Sequence, residues 1–296
     1  MKSVTIVCRL SSRHGLAYYR RLQEELPKRG VSIAAAHMVR RRKELKKRIR
    51  QAVQSGAGTI VVIGGDGTQT AAVAELAHKP AVMAVIPAGT GNSFAFSLGI
   101  KDDIDAAIDT IVNGKEIFVD VGIVNGTHFA NFATVGLIAE AANRTPRGLK
   151  KFVGPLAYGF TALGTFFHDK PFEMRVKWKK NDLKIVTHQA IIASGRYFGW
   201  QPVTPNATLR SGELAFFAAS GRTVADALKT NAALLRGEQT NLQNAHYFSA
   251  KRITIKTKPK QALNIDGHAL GSTPAKFKIA PRALRVMVPQ DFKPAS

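Results

Sequence analysis

The sequence is poor in cysteine, in acidic residues and in long apolar runs. Its single cysteine, Cys8, excludes an internal disulfide and favours a reducing cytoplasm. Lys and Arg number 43 against 20 Asp and Glu, which leaves a net charge of +23 and predicts attraction to polyanions. The longest weakly polar stretch, residues 153–167, is too short to span a bilayer. Arg9 interrupts the first apolar run, so we expect no signal peptide and a cytoplasmic protein.

Up to about residue 115, short apolar runs alternate with helical patterns. The predicted strands are 4–10, 31–36, 59–63 and 81–86, and the predicted helices are 16–29, 40–55, 69–77 and 102–114. Apolar strands that alternate with helices favour a parallel sheet covered on both faces. The first 115 residues are therefore predicted to form an α/β domain.

From residue 116 the pattern changes to hairpins. Segments 116–124 and 127–135 flank Asn125-Gly126, and segments 173–179 and 183–194 flank Asn181-Asp182, two dipeptides typical of tight turns. Shorter strand-like segments follow, with helical patterns near 156–167 and 223–235. This change predicts a second, mainly β domain over residues 116–283.

Two glycine loops follow neighbouring strands of the predicted parallel sheet, GGDGT at 64–68 and PAGTGN at 87–92. Ligands of open α/β sheets bind beyond the carboxyl ends of the strands, where both loops fall. Glycine leaves backbone N–H groups accessible to phosphate oxygens. A single loop of this kind is equally often only a tight connection, but two together indicate a phosphate site.

The combination of GGDGT and PAGTGN resembles the diacylglycerol kinase catalytic-domain family, which includes sphingoid-base kinases and soluble bacterial lipid kinases. GGDGT alone also occurs in NAD kinases and phosphofructokinases, and PAGTGN separates this chain from NAD kinases. Segments that resemble the same family continue along the chain at 131–141, 149–163, 198–214 and 264–289. The resemblance implies an NAD-kinase-like α/β domain and a β-sandwich with nucleotide between them, and a last strand that returns to the first domain at about 284–296.

The resemblance also implies roles for individual residues, with ATP and Mg²⁺ as cofactors. The nucleotide-binding positions are Gly64, Gly65, Asp66, Gly67, Thr68, Gly89, Thr90 and Asn92. Asp66 is expected to organise metal, water or the accepting hydroxyl. The family's Asp-Gly-Glu, whose glutamate is taken as the base, is Asp266-Gly267-His268 here. Neutral imidazole can accept a hydroxyl proton near pH 7, although a structural histidine, with Asp266 or Asp66 as the base, is the alternative. Asp266-Gly267 also has the composition of a tight turn.

The chain departs from the family pattern elsewhere. Residues 9–15 (RLSSRHG) replace the first-turn Asn-Pro and glycine, the threonine after the second strand is absent from residues 37–45, and Ser93 replaces a frequent aspartate. Ser211-Gly212 stands where some members hold a structural magnesium with Asp-Gly, and Glu213 is the candidate substitute.

The predicted partner is a lipid at an anionic membrane surface. The basic segment 40–50 (RRRKELKKRIR) would contribute about 1 kcal/mol per cation near such a surface, although a solvated face is the commoner role of such a run. No nucleic-acid module is present in the sequence. Sphingoid bases are the alternative substrate, a polyanion-binding protein without turnover is the alternative function, and a homodimer is left open.

Overall fold

The computed structural model describes residues 3–144, 170–195, 197–198, 201–202 and 208–293. The helix predicted at 156–167, the segment 149–163, and residues 199–200 and 203–207 of the segment 198–214 lie outside these residues. The first domain contains strands β1 (Ser3–Arg9), β2 (Ser32–Val39), β3 (Thr59–Gly64) and β4 (Val82–Pro87), and helices α1 (Gly15–Lys28), α2 (Arg42–Gln54), α3 (Asp66–Leu76), α4 (Ser93–Ser97) and α5 (Ile104–Asn113).

The first four strands form a parallel sheet in the order β2-β1-β3-β4. Strands β3 and β4 are buried along nearly their whole length, because helices pack on both faces of the sheet. The glycine loops therefore leave the carboxyl ends of two adjacent central strands. This arrangement confirms the predicted α/β fold.

The rest of the described chain is mainly antiparallel sheet. Its strands are β5 (Lys115–Val124), β6 (Thr127–Phe129), β7 (Phe132–Gly136), β8 (Phe172–Trp178), β9 (Asn181–Ala193), β10 (Tyr197–Phe198), β11 (Gln201–Pro202), β12 (Leu214–Ser220), β13 (Ala245–Ala250), β14 (Arg252–Lys258), β15 (Ala262–Ile265), β16 (His268–Ser272) and β17 (Ala275–Val288). Its helices are α6 (Leu137–Arg144) and α7 (Val224–Arg236), followed by a 3₁₀ turn at Gln239–Asn241. A separate hydrophobic core forms between these strands.

The long strand β17 joins the two parts of the sheet. Its first residues pair with β14, most of its length pairs antiparallel with β5, and Val286 pairs in parallel with Met83 of β4. The sequence pattern divides this strand into two segments, 276–280 and 284–288, and a register shift between Ala280 and Leu284 accounts for that division. Arg282 adopts a positive φ of 50° within the shift.

Two predicted hairpins differ from the structure. Asn125 and Gly126 both have positive φ, as a type I′ turn requires, but the returning strand breaks after Phe129 and β7 pairs with β9 and β15 instead. In the second hairpin Trp178 pairs with Asn181. The tight turn is therefore Lys179-Lys180, and the expectation of a turn at Asn181-Asp182 was wrong.

Among the described helices, none is both long and apolar enough to cross a membrane.

Candidate active site

The two glycine loops lie against each other. A Cβ atom added to Gly65 would lie 2.8 Å from the Cα atom of Gly89. Real Cβ atoms do not approach other atoms so closely, so a side chain at Gly65 would push the loops apart. Glycine at this position is required by the close approach of the two backbones, in addition to any ligand.

Helix α3 begins inside the first loop, at Asp66, three residues earlier than the sequence pattern predicts. The first N–H groups of a helix have no partner within the helix, so the loop presents amides beside the first-turn carboxylate. Thr68 is buried and packs against Gly64. Gln69 donates from Nε2 to the carbonyl oxygens of Val62 and Gly64 at 3.2 and 3.0 Å and thereby fixes the end of β3. These contacts support the backbone of the first glycine loop.

The second loop is stabilised by Asn92. This residue is buried in the left-handed region, with φ of 50°. Its Oδ1 accepts the N–H of Gly89 at 3.0 Å, and its Nδ2 donates to Asp102 at 3.0 Å. The asparagine side chain therefore holds the loop closed and positions Thr90, which is half-buried in the same loop.

Asp66 lies between the two loops. Its Oδ1 accepts the N–H of Phe94 at 3.2 Å, and its Oδ2 faces Gly91, where an added Cβ atom would be only 2.9 Å away. Burial raises the pKa of Asp66 to about 6; the N–H of Phe94 opposes this rise, and the nearby carboxylate of Asp266 adds to it. The carboxyl group thus changes its charge near neutral pH.

The imidazole of His268 lies over Gly67, so that a Cβ atom at position 67 would overlap its Nε2 atom. Residues 64–68 and His268 are at least 200 positions apart in the chain, and the turn between β15 and β16 brings them together. The structure therefore places the histidine at the first glycine loop, next to Asp66.

Asp266 anchors this turn. It is 5% exposed, and its carboxylate accepts the N–H groups of Ala130, Asn131 and Phe132 and the hydroxyl of Thr70 at 2.6, 3.1, 2.9 and 2.7 Å. Burial raises the pKa of Asp266, and these donated hydrogen bonds oppose that rise. Asp266 and Gly267 also have positive φ, so the predicted tight turn is present. Sequence analysis missed the four donors, because they come from distant segments.

Two arginines complete the site, and neither was among the predicted site residues. Arg9 ends β1, and Arg42 begins α2 just after β2, so both stand at the carboxyl edge of the sheet. Burial lowers the pKa of the Arg42 guanidinium, the positive charge of Arg9 adds to this effect, and Asp266 opposes it. The buried Nε of Arg42 has no hydrogen-bond partner in the described part of the chain. The position of Arg42 directly after a strand was the available signal, but the basic run concealed it.

In residues 211–213, where Glu213 was the candidate magnesium ligand, the polar groups bond to other groups of the protein. The carboxylate of Glu213 lies 3.5 Å from the ammonium of Lys179, and the N–H of Gly212 donates to Asp120 at 2.6 Å. Within the described residues, no group of three or more His, Cys, Asp or Glu side chains is arranged to hold a metal ion.

A parallel α/β sheet with two apposed glycine loops, completed by a β domain that supplies a histidine, defines a nucleotide-dependent phosphotransferase. Two family models match the chain: the diacylglycerol kinase catalytic domain over residues 6–124, and the YegS C-terminal NAD kinase beta sandwich-like domain over residues 132–288. The chain belongs to the diacylglycerol kinase catalytic-domain family and is a lipid kinase. The predicted family and the predicted β-sandwich are confirmed.

Individual relatives agree with this assignment. The chain is 31% identical over 240 residues to a diacylglycerol kinase of Bacillus subtilis, covering 78% of each chain. It is 28% identical over 249 residues to one of Staphylococcus saprophyticus, covering 82% of this chain and 81% of the relative. The solved structure of a diacylglycerol kinase from Bacillus anthracis covers 97% of this chain and 96% of its own, with a TM-score of 0.74. Its 20% identity makes that last likeness one of fold alone.

Proposed function

We propose that this lipid kinase transfers the γ-phosphoryl group of ATP to the hydroxyl of diacylglycerol or a closely related lipid alcohol. The observation that carries the proposal is the packing of His268 over Gly67, which brings a proton acceptor to the loop that would bind the phosphates. Use of ATP is typical of the family. The names of the relatives favour diacylglycerol over sphingoid bases.

Backbone amides and arginine side chains would both contribute to phosphate binding. The amides at the start of α3 would bind phosphate oxygens, and the helix end adds a favourable positive potential. Arg9 and Arg42 would neutralise the polyphosphate, in place of the family residues that this chain lacks. Such a role accounts for two arginines at the sheet edge that are close enough for the charge of Arg9 to lower the pKa of Arg42.

Magnesium fits this arrangement at Asp66. Mg²⁺ commonly binds to one or two carboxylates together with substrate phosphates, and Asp66 offers one carboxylate beside the phosphate-binding amides. The ion would neutralise charge on the phosphates when bound. Asp266 is less suited to this role, because four donors already occupy its oxygens.

In the proposed reaction, the lipid hydroxyl oxygen forms a bond to the γ-phosphorus while the bond from that phosphorus to the bridging oxygen breaks, and ADP leaves. The imidazole of His268 accepts the hydroxyl proton. Asp266 positions the histidine through the turn that it anchors, and Thr70 couples that turn to α3. Phosphoryl transfer depends mainly on positioning and charge neutralisation, so the base contributes only part of the rate.

We place the reaction at the cytoplasmic surface of an anionic membrane, where the lipid substrate resides. Only some of the basic side chains in and around helix α2 are available to contact the membrane. Arg42 is partly buried and senses the charges of Arg9 and Asp266, and Lys46 pairs with Glu75 at 3.2 Å. Arg40, Arg41 and Lys47 remain exposed for contact with lipid head groups.

The substrate is tested with labelled ATP and a panel of lipid alcohols in mixed micelles, which includes diacylglycerol, monoacylglycerol and a sphingoid base. We expect label in phosphatidic acid, and Asp66→Asn serves as the inactive control. Label mainly in a sphingoid-base phosphate would replace the proposed substrate. No labelled lipid would support a binding protein without turnover.

The base is tested by the pH dependence of kcat. If His268 accepts the proton, activity should fall on the acid side with an apparent pKa of roughly 6 to 7, and His268→Ala should remove that limb. Asp66 titrates in the same range, so an acid limb in the wild type alone does not identify the histidine. His268→Glu should extend activity to lower pH, because a carboxylate stays ionised there. A limb that persists in His268→Ala would transfer the role to Asp66.

A further inference from the structure

Helix α7 has a partly exposed apolar face. The buried residues of the helix are Ala227, Thr230, Ala233 and Leu234. On the opposite side, Val224, Leu228 and Leu235 keep 42%, 45% and 71% of their surfaces exposed. We propose that this outer face of α7 inserts into the head-group region of an anionic bilayer and holds the kinase on the membrane.

The three exposed side chains form one line along the helix. Their spacings of four and seven residues place them within about 40° of one another around the axis. A single exposed leucine is ordinary, but three aligned aliphatic side chains mark a contact surface. Asn231 lies beside this line, and its amide donates to the carbonyl of Ala227 at 2.8 Å. The amide of Asn231 is thus already hydrogen-bonded within the helix.

Helix α7, which carries this face, is fixed at both ends and packed against the sheet. The N–H of Asp226 donates to the Thr223 hydroxyl at 3.2 Å, and the Asp226 carboxylate accepts the N–H of Thr223 at 3.0 Å, which forms a capping box. The helix ends at Gly237, whose φ is 74°. Leu234 packs into a cluster with Phe217 of the sheet. The outer side chains are therefore presented by a fixed scaffold.

The charges around the face match an anionic surface. Arg222 precedes the helix, and Lys229 and Arg236 lie on one side of the apolar line, about 80° to 100° around the axis from Leu228, all of them exposed. The acid of the first turn, Asp226, is engaged in the cap. An apolar stripe bordered by cations is the pattern of helices that lie in the membrane interface, and the net charge of +23 adds long-range attraction.

A second copy of the chain is a poorer occupant. Two molecules that each carry a net charge of +23 repel each other. A stable protein interface also buries about 800 Å² on each partner. Three aliphatic side chains supply less than that area, but they are sufficient for reversible attachment to a bilayer when cations contribute as well.

The inserted helix would lie close to the candidate active site. Phe132 packs against the same cluster as Leu234, and the N–H of Phe132 donates to Asp266 at 2.9 Å. One layer of side chains thus connects α7 with the turn that carries His268. The inference rests on the proposed function in this respect, because a kinase for a membrane lipid must bring its site to the bilayer.

The first experiment labels one position with an environment-sensitive dye. Leu228→Cys in the full chain is modified with a nitrobenzoxadiazole maleimide, and Cys8 is buried and protected from the reagent. Phosphatidylcholine vesicles with phosphatidylglycerol, which contain no lipid alcohol substrate and no ATP, should raise and blue-shift the emission. Lys28→Cys on α1, whose lysine side chain is 67% exposed, is the matched control and should show no change. Bound protein with an unchanged signal from position 228 would overturn the proposal.

The second experiment removes the apolar line. A variant with serine at positions 224, 228 and 235 should bind the anionic vesicles at least about tenfold more weakly, because less apolar surface is buried. Ala225→Ser, on the same exposed helix surface, is the control, and binding of the wild type should weaken as salt rises. Equal vesicle binding by the triple variant and the wild type would refute the proposal. It would also be refuted if light scattering showed that the wild type is a dimer, that the three substitutions convert it to a monomer, and that vesicle binding is unchanged. Phosphorylation of a water-soluble short-chain diacylglycerol tests the kinase function separately, and the triple variant should retain it.

Discussion

The carboxyl group of Asp66 should destabilise the fold in which it acts. Its pKa is raised to about 6 in the folded chain from an ordinary value of 3.8, mainly by burial. A difference of that size corresponds to about 3 kcal/mol of unfavourable free energy once the group is ionised. We therefore predict that Asp66→Asn abolishes most lipid phosphorylation and, at neutral pH, raises the free energy of unfolding by up to about 3 kcal/mol. The amide keeps an oxygen that can accept the N–H of Phe94.

The raised pKa of Asp66 also determines how the stability of the wild type changes with pH. Between about pH 4 and pH 6 the folded chain binds more protons at Asp66 than the unfolded chain, so wild-type stability falls as the pH rises through that window. Asparagine does not titrate. The advantage of Asp66→Asn should accordingly be small near pH 4, grow toward pH 6 and stay constant above it, as measured by urea unfolding across that range.

Asp182 provides a control of opposite sign. Its hydrogen bond from Arg175 lowers the pKa of Asp182 to about 2. This carboxylate contributes stability above its unfolded pKa, and the contribution is lost as the pH falls through about 2. Asp182→Asn should therefore reduce stability at neutral pH. Equal or lower stability of Asp66→Asn at about pH 8 would refute the argument that the site strains the fold.

Three further predictions concern the same site. Gly67→Ala should lower kcat strongly with little loss of thermal stability, because the added methyl group would displace His268; unchanged kinetics would contradict the packing. Asp266→Asn should reduce the free energy of unfolding by about 2 to 4 kcal/mol in urea, because an NH₂ group would face donors such as Thr70, and Thr70→Val is the milder control. Arg42→Gln should weaken binding of a fluorescent ATP analogue and flatten its salt dependence, whereas Arg41→Gln, on the exposed neighbour, should not.

The part of the fold that follows from local rules could be predicted from the sequence. Strands β3 and β4 are apolar along their whole length, and their order with the intervening helix predicts parallel neighbours with loops at one edge. The resemblance added a role for residues 266–268 as the position of the family's base, but their packing against the first glycine loop is known only from the structure. The composition of Asp266-Gly267 also predicted a tight turn, and both residues have positive φ in the structure.

The features that depend on tertiary contacts could not be predicted from the sequence. Strand-forming residues continue from Thr127 to Val135, yet the strand breaks there because Ala130 and Asn131 turn their N–H groups toward Asp266. Helix α3 extends back into the glycines because its first carboxylate, Asp66, is held by the amide of Phe94 across the cleft. In both places a buried carboxylate overrides the local preference of the chain.

The two carboxylates therefore have different parts in one arrangement. Asp266 receives four hydrogen bonds, which fix the turn that carries His268 and leave its oxygens little capacity for chemistry. Asp66 receives fewer donors, and its pKa of about 6 keeps its charge sensitive to a metal or a phosphate. The hydroxyl of Thr70 lies 2.7 Å from the Asp266 carboxylate and 2.9 Å from the backbone carbonyl of Asp66, and its single proton is available to either acceptor. The position of the His268 ring is thus set by the turn that Asp266 anchors and by the close approach of the ring to Gly67.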